Sequence, residues 1–436
     1  MPPGDVRGFD VRTGRKLWTF RAVPGPGEVG HDTWSGDAWT TAGGTNVWTL
    51  MSADEELGYV YLPFGTPVND YYGGDRHGDN LFGESLVCVD ARTGRRIWHQ
   101  QIVRHGLWDY DLPAAPNLID VTVDGGRVRA VAQVTKQGFV FVFDRVTGAP
   151  LWPIEERAVP QSGVPGEQTA ATQRFPTKPA PVEIQGVRED DLIDVTPELR
   201  RQALEIVARY DHGPLYTPPS ERGTILMPGI GGGPSWAGAG WDPETGMYYV
   251  TTQRLPDVIT LAKSRWSPDR LVGQDRYLSG PQRLPLFKPP WGSLVAIDMS
   301  TGEHRWRVPV GSGRPELVPA FAHLAPQFAH LPGRLGWPFR SFVLVTRSLL
   351  LVVQQGYHSN ARTAPFAGRA RVYDLNILEP KLYAYDKASG RLVAELALPA
   401  NASGAPMTYM AGGKQYVTFP VGGSNIPEEL IAVALP

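Results

Sequence analysis

Asp10-Val-Arg-Thr-Gly14-Arg-Lys-Leu-Trp18 recurs along the chain. It returns as Asp90-Ala-Arg-Thr-Gly94-Arg-Arg-Ile-Trp98, as Asp144-Arg-Val-Thr-Gly148-Ala-Pro-Leu-Trp152 and as Asp298-Met-Ser-Thr-Gly302-Glu-His-Arg-Trp306. A fifth copy, Asp386 to Ala394, keeps the turn with Gly390 and carries Ala where the Trp belongs. Each copy reads as an apolar strand, a tight turn and a second strand that opens on a large aromatic. One such hairpin cannot bury its own faces, so the units must stack, which points to a propeller or solenoid.

The composition agrees. The 436 residues include 49 Gly, 41 Pro, 13 Trp and 16 Tyr, which suits many short strands joined by turns. A net charge of −2 provides no basic footprint for nucleic acid. The single cysteine, Cys88, excludes an internal disulfide and lies in the apolar strand Leu86-Val87-Cys88-Val89, where it reads as a buried, inert thiol. No stretch has the ~20 apolar residues of a membrane span. Met1-Pro2-Pro3-Gly4 leads straight into the first repeat with no signal-peptide pattern.

The motif Asp residues are separated by 80, 54, 154 and 88 positions. A blade needs roughly 40–50 residues, so the longer gaps hold insertions or blades with degraded motifs. Ser52 to Tyr61 and Trp241 to Val250 read as first hairpins of blades. The expectation is an all-β propeller with five to six blades in one domain over 1–436. A Pro-rich, partly helical insertion spans about 153–220. Its helix starts at Thr196 as cap and Pro197, with Leu199, Ala203, Ile206, Val207 and Tyr210 on one face. Leu255 to Pro290 and Gly311 to Pro338 read as irregular loops.

Two residues stand out for chemistry. Asp109, in His105-Gly-Leu-Trp108-Asp109-Tyr-Asp111-Leu-Pro113, follows an indole. It is either a partly desolvated base or a turn Asp capping backbone amides. Lys136, in Val134-Thr-Lys136-Gln-Gly138-Phe, interrupts an apolar stretch. It is either a surface Lys at a strand start or a buried cation in need of a partner.

Several strings carry a resemblance. They are Val6-Arg-Gly-Phe-Asp10, Leu107-Trp-Asp-Tyr-Asp-Leu-Pro113, Tyr216-Thr-Pro-Pro-Ser-Glu-Arg-Gly-Thr224 with Pro228-Gly229, and Pro406-Met-Thr-Tyr409 with Gly413-Lys-Gln-Tyr-Val417. Through them the chain resembles the pyrroloquinoline quinone (PQQ)-dependent dehydrogenases, eight-bladed propellers with Trp-docked blades, and most of all the membrane-bound quinoprotein glucose dehydrogenase group. The resemblance implies a PQQ-dependent sugar or alcohol dehydrogenase of the periplasm that passes electrons to membrane quinone. It places the catalytic base at Asp109, the cation on the quinone oxygens at Lys136, and the aromatic floor at Trp48, which could otherwise be a docking Trp between blades. Trp236 would back the cofactor, with Ser235 beside it where Asn is frequent. Thr66, Asn69 and Asp70 are candidate ligands of Ca²⁺ or Mg²⁺, as oxygen donors.

The pattern is broken in places. The chain begins at a late blade, so the ring reads as incomplete. A split or truncated gene, a partner chain that supplies further blades, or a smaller re-closed ring would each account for this. Gly106 replaces the Asp that precedes the Leu-Trp-Asp run, Ser424 replaces a His, and Gly356 to Leu378 is longer than in the group. The competing reading is a non-catalytic propeller that acts as an interaction scaffold.

Overall fold

The computed structural model describes residues 2–265, 271–314, 317, 319–331, 333–356, 380–423 and 426–434. Ser424 and most of the 356–378 segment lie outside them. Among the described residues the chain forms eight antiparallel sheets and little helix. Six sheets follow one another as up-and-down units. They start with the pair Val6–Phe9 and Lys16–Phe20, followed by Ser52–Asp54, Tyr59–Pro63, Ser85–Asp90 and Arg96–Gln101. Next come Asn117–Val123, Gly126–Val134 and Val140–Asp144, and then Ala239–Asp242, Met247–Gln253, Gly292–Asp298 and Glu303–Pro309. The series ends with Ser341–Val345, Leu349–Gln354, Lys381–Asp386 and Leu392–Ala397, and with Met407–Ala411, Lys414–Gly423 and Ile426–Ala434. First strands touch first strands from sheet to sheet: Ser52–Asp54 meets Asn117–Val123, which meets Ala239–Asp242, which meets Ser341–Val345. This is β-propeller topology.

The repeat explains how neighbouring sheets are joined. In the first three motifs the Asp carboxylate accepts the amides two and three residues on, and its backbone carbonyl accepts the motif Gly amide. The five motif glycines have φ between 69° and 77°, the left-handed region that glycine enters at least cost. The Trp of one unit then lands on the Gly turn of the next. A Cβ on Gly94 would sit 2.5 Å from the Trp18 ring, one on Gly148 2.7 Å from Trp98, and one on Gly390 2.7 Å from Trp306. Trp152 lies 3.3 Å from the same point on Gly302. Trp18 Nε1 donates to the Ala91 carbonyl at 3.0 Å and Trp98 Nε1 to the Arg145 carbonyl at 3.2 Å. Burying one indole this way contributes about 4–6 kcal/mol as an upper estimate.

The 153–220 insertion contains the expected helix, Pro197–Val207, with Thr196 Oγ1 accepting the Leu199 amide and Leu199, Ala203 and Val207 buried. It also contains a hairpin that its Pro content hides, Ile154–Ala158 paired with Thr172–Pro176. The supposed loop from Leu255 to Pro290 is largely sheet: Asp257–Lys263 pairs with Leu271–Tyr277 on one side and with Thr224–Leu226 on the other. There β-branched and apolar residues outweigh the flanking Pro and Arg. Cys88 is buried, and burial pushes its thiol up to about 12. No helix among the described residues is long and apolar enough to cross a membrane.

Candidate active site

Equivalent strand ends in neighbouring sheets bring the site together. Tyr59–Pro63 runs into Gly65 and Thr66, and Gly126–Val134 runs into Lys136. Between them passes the 105–113 run, which contains no regular strand. Its alternate residues Trp108 and Tyr110 are buried and tie it down: Trp108 Nε1 donates to the Thr217 carbonyl at 2.9 Å, and Tyr110 Oη to the Pro228 carbonyl at 2.7 Å. Trp108 also meets Tyr216 edge-on at 5.1 Å. Two strings far apart in sequence, 107–113 and 216–228, thus form one wall. His105 and Asp109 both have left-handed backbones, φ 47° and 55°, a conformation non-glycine residues adopt at some cost and one that gathers at functional sites.

At the centre, Lys136 Nζ lies 2.6 Å from Asp111 Oδ2 and 3.1 Å from Asp109 Oδ2. Its side chain is only 8% exposed, so it is not a surface lysine. Asp111 Oδ1 accepts from the Thr66 amide at 2.7 Å and is 3.0 Å from Thr66 Oγ1. Asp109 retains 23% of its side chain exposed and is held by Lys136. Trp48 completes the group: Lys136 Nζ stands 5.8 Å from its ring centroid, and the residue is 45% exposed rather than docked between sheets.

The charges are strained. Burial holds the Asp109 carboxyl well above the usual carboxylate range, and the neighbouring Asp111 and Asp70 add to this against Lys136. Burial also works against ionised Asp111, but Lys136, Asp109 and the Thr66 amide together hold its pKa down. Burial alone would depress Lys136; the two carboxylates outweigh it and raise it. The pair thus divides into an ionised Asp111 bound to Lys136 and a more basic Asp109 open to one side. Two more acids stand nearby. Burial, then Asp111, push Asp70 up to about 6 and Glu84 up to about 8. Glu84 Oε1 is 3.1 Å from Thr66 Oγ1. Its other oxygen lies 1.6 Å from where a Cβ on Gly106 would be, so the Glu84 carboxyl fills the space that a side chain at 106 would take. The second cation, Arg76, is fully buried and donates to the Asn69 and Gly106 carbonyls.

Other anticipated residues lie at or beyond the edge of this group. Asn69 Nδ2 donates to the Leu271 carbonyl at 2.7 Å. Ser235 Oγ accepts from Arg340 Nε at 2.9 Å, and Trp236 packs edge-on against Phe342 at 5.0 Å. The Gly233 amide donates to the Lys136 carbonyl at 3.0 Å, which ties the Ser235–Trp236 loop to the Lys136 strand end. Among the described residues no three His, Cys, Asp or Glu side chains converge as a metal cluster. Sequence reasoning did not single out Asp111, Glu84, Arg76 or Arg340. For Asp111 there was a signal, a second acid two residues after Asp109.

Residues 1–417 match the family described as "PQQ: Glucose/ethanol/alcohol dehydrogenase, beta-propeller domain". The chain is 30% identical over 471 residues to the quinoprotein glucose dehydrogenase of Escherichia coli K12, covering 99% of this chain and 54% of that protein. It is 29% identical over 461 residues to the quinate/shikimate dehydrogenase (quinone) of Acinetobacter baylyi, covering 98% and 52%. The chain spans about half the length of the curated relatives it matches. Among solved structures, a quinohemoprotein alcohol dehydrogenase from Pseudomonas putida HK5 superposes with a TM-score of 0.63 at 21% identity, over 96% of this chain and 52% of that one. A europium-containing methanol dehydrogenase does so with 0.64 at 19%, over 97% and 62%. These two likenesses concern the fold.

Proposed function

Since the chain belongs to the family of PQQ-dependent glucose, ethanol and alcohol dehydrogenase β-propellers, we propose that it oxidises a sugar or alcohol hydroxyl with PQQ as cofactor. The observation that carries the reading is the contact of Lys136 with Asp109, Asp111 and Trp48. Those residues suit the cofactor. A half-exposed indole offers a flat floor to a flat heterocycle. Two of the three ammonium protons of Lys136 are taken by carboxylates, which leaves one for a quinone oxygen. Trp236 and Ser235 would stand on the far side. When bound, PQQ supplies an electrophilic quinone that takes up the hydride.

The protein's own part is acid–base and electrostatic. Asp109 accepts the hydroxyl proton, and its raised basicity makes it a better base than an ordinary Asp. Asp111 keeps Lys136 charged and in place. Lys136 stabilises negative charge that develops beside it, and being fixed and desolvated it does so without reorganisation. A scaffold would have no use for so costly a buried charge group.

A divalent cation also suits the neighbourhood. Asp70 and Glu84 are raised first by burial and then by the charge of Asp111, with Arg76 and Lys136 opposing, so the group is rich in acids for the cations beside it. Thr66, Asn69 and Asp70 would be its oxygen ligands, with Ca²⁺ or Mg²⁺ as the ion. In this reading the protein works in the periplasm at the membrane, hands electrons to membrane quinone, and relies on further blades, possessed or borrowed from a partner chain, to close the site. The test is to load the purified chain with PQQ and Ca²⁺, separate free cofactor by gel filtration, and follow dye reduction with glucose and simple alcohols. Co-eluting PQQ absorbance with dye reduction is expected. Loss of all PQQ on the column, with no dye reduction, overturns the reading.

A further inference from the structure

The 153–220 insertion meets the 105–113 run through one buried pair. Glu167 lies in the loop that joins Ile154–Ala158 to Thr172–Pro176. Its Oε1 stands 2.7 Å from His105 Nε2, and the two side chains are 2% and 1% exposed. Its Oε2 accepts from the Gly73 amide at 2.6 Å. The other ring nitrogen, Nδ1, stands 2.8 Å from the Gly78 carbonyl. Burial works against an ionised Glu167, but His105 and the Gly73 and Gln168 amides outweigh it and hold the carboxyl below its ordinary range. Neither a carbonyl nor an ionised carboxylate has a proton to give, so both nitrogens of the His105 ring donate. Removing either member of such a buried pair strands the other.

The loop around Glu167 is strapped to the site on a second side. Tyr72 Oη donates to the Pro165 carbonyl at 3.0 Å, and His77 Nε2 lies 2.7 Å from the Gly166 carbonyl. Arg76, from the same stretch as Tyr72 and His77, donates to the Gly106 carbonyl. The ring has no slack: a Cβ on Gly73 would sit 2.3 Å from His105 Nε2. His105 stands four residues before Asp109, and both hold left-handed backbones. Such a backbone persists only where the surroundings over-determine it. For His105 those surroundings are Glu167, the Gly78 carbonyl and the Asp79 carbonyl, which accepts its amide at 3.1 Å. No strand ladder holds this end of the run.

We propose that Glu167 is a positioning residue: by clamping the His105 ring it fixes the backbone of the 105–109 run and so aims the Asp109 carboxylate. The insertion is then a working part of the site, which it reaches from outside the repeat scaffold. The effect on turnover rests on the reaction proposed above; the clamp itself does not.

The test uses the full chain as wild type, Glu167→Gln, Glu167→Asp, and Glu167→Gln combined with His105→Gln. Hydrogen–deuterium exchange of the 105–113 amides is read first, without cofactor. Dye reduction with PQQ, Ca²⁺ and glucose or a simple alcohol then gives kcat and KM, and tryptophan fluorescence gives PQQ affinity. In Glu167→Gln the 105–113 amides should exchange faster, and kcat should fall about 10- to 100-fold, the usual cost of a misplaced catalytic group, with KM and PQQ affinity unchanged. Glu167→Asp should recover part of the rate, because it keeps the charge on a shorter side chain. A packing role predicts the reverse order, since Gln matches Glu in size. Adding His105→Gln to Glu167→Gln should cost little more, because the two residues act as a unit. Unchanged exchange in Glu167→Gln, a Glu167→Asp variant slower than Glu167→Gln, or a loss of kcat that merely follows lost PQQ binding overturns the proposal. Should Glu167→Gln not fold, the same readings on Glu167→Asp against the wild type decide. A wild type that reduces no dye overturns only the reading of the reaction, and the exchange comparison still decides the clamp.

Discussion

Gly148→Ala and Gly14→Ala make the same chemical change at the same turn of two repeats and should cost very different amounts. Both glycines are left-handed, with φ of 77° and 69°, so each variant pays about 1–2 kcal/mol for a Cβ in that region. A Cβ on Gly14 meets nothing within 4 Å, whereas one on Gly148 sits 2.7, 2.8 and 2.9 Å from Cδ2, Cγ and Cε3 of Trp98. Trp98 has little room to retreat: it is buried, bonded to the Arg145 carbonyl, and wedged between Tyr61 and Phe143 with centroids at 5.9 and 6.3 Å. Overpacking of this kind costs about 1–3 kcal/mol more. Gly148→Ala should therefore destabilise by about 2–5 kcal/mol and Gly14→Ala by about 1–2 kcal/mol, read as the shift of urea unfolding midpoints. In a Trp98→Ala background the excess at Gly148 should vanish, as a double-mutant cycle would report. Equal costs for the two glycines, or an excess that survives removal of Trp98, would refute the docking argument.

Lys136→Met should cost about 3–5 kcal/mol, since it strands Asp109 and Asp111 without a cation; adding Asp111→Asn should recover part of this in the same unfolding assay. Asp109→Asn should retain PQQ binding and lower kcat by about 10²–10⁴-fold in dye reduction. Asp109 acts as its ionised form, and burial raises its pKa. The rate should thus fall as pH drops through a value above the ordinary carboxylate range, seen in a kcat/KM profile. Trp48→Ala should weaken PQQ in a fluorescence titration with little loss of stability, because the ring is half-exposed.

The architecture was legible because it repeats. Asp, Gly and Trp at fixed offsets each do one local job, and the structure joins them as the motif implies: the Trp of one repeat covers the Gly of the next. The helix after Thr196 was legible for a similar reason, since cap, first-turn Pro and apolar stripe are all local. The Leu255–Pro290 region misled because its Pro and Arg mark the ends of a hairpin whose pairing with Thr224–Leu226 is not local. Asp109, Lys136 and Trp48 stand in recognisable strings, and the structure brings them beside one another. The places of Glu84 and Arg340 were not legible, because neither lies in such a string.

The repeat, the turns, the all-β class and the strings that carry the family resemblance could all be read along the chain, since periodicity and turn chemistry act between near neighbours. It took the folded chain to set Lys136 between two carboxylates and Glu84 in the space beside Gly106. Those facts depend on distances between separate sheets and loops. Whether a charge there is paired, crowded or left without a partner is set by what burial brings beside it.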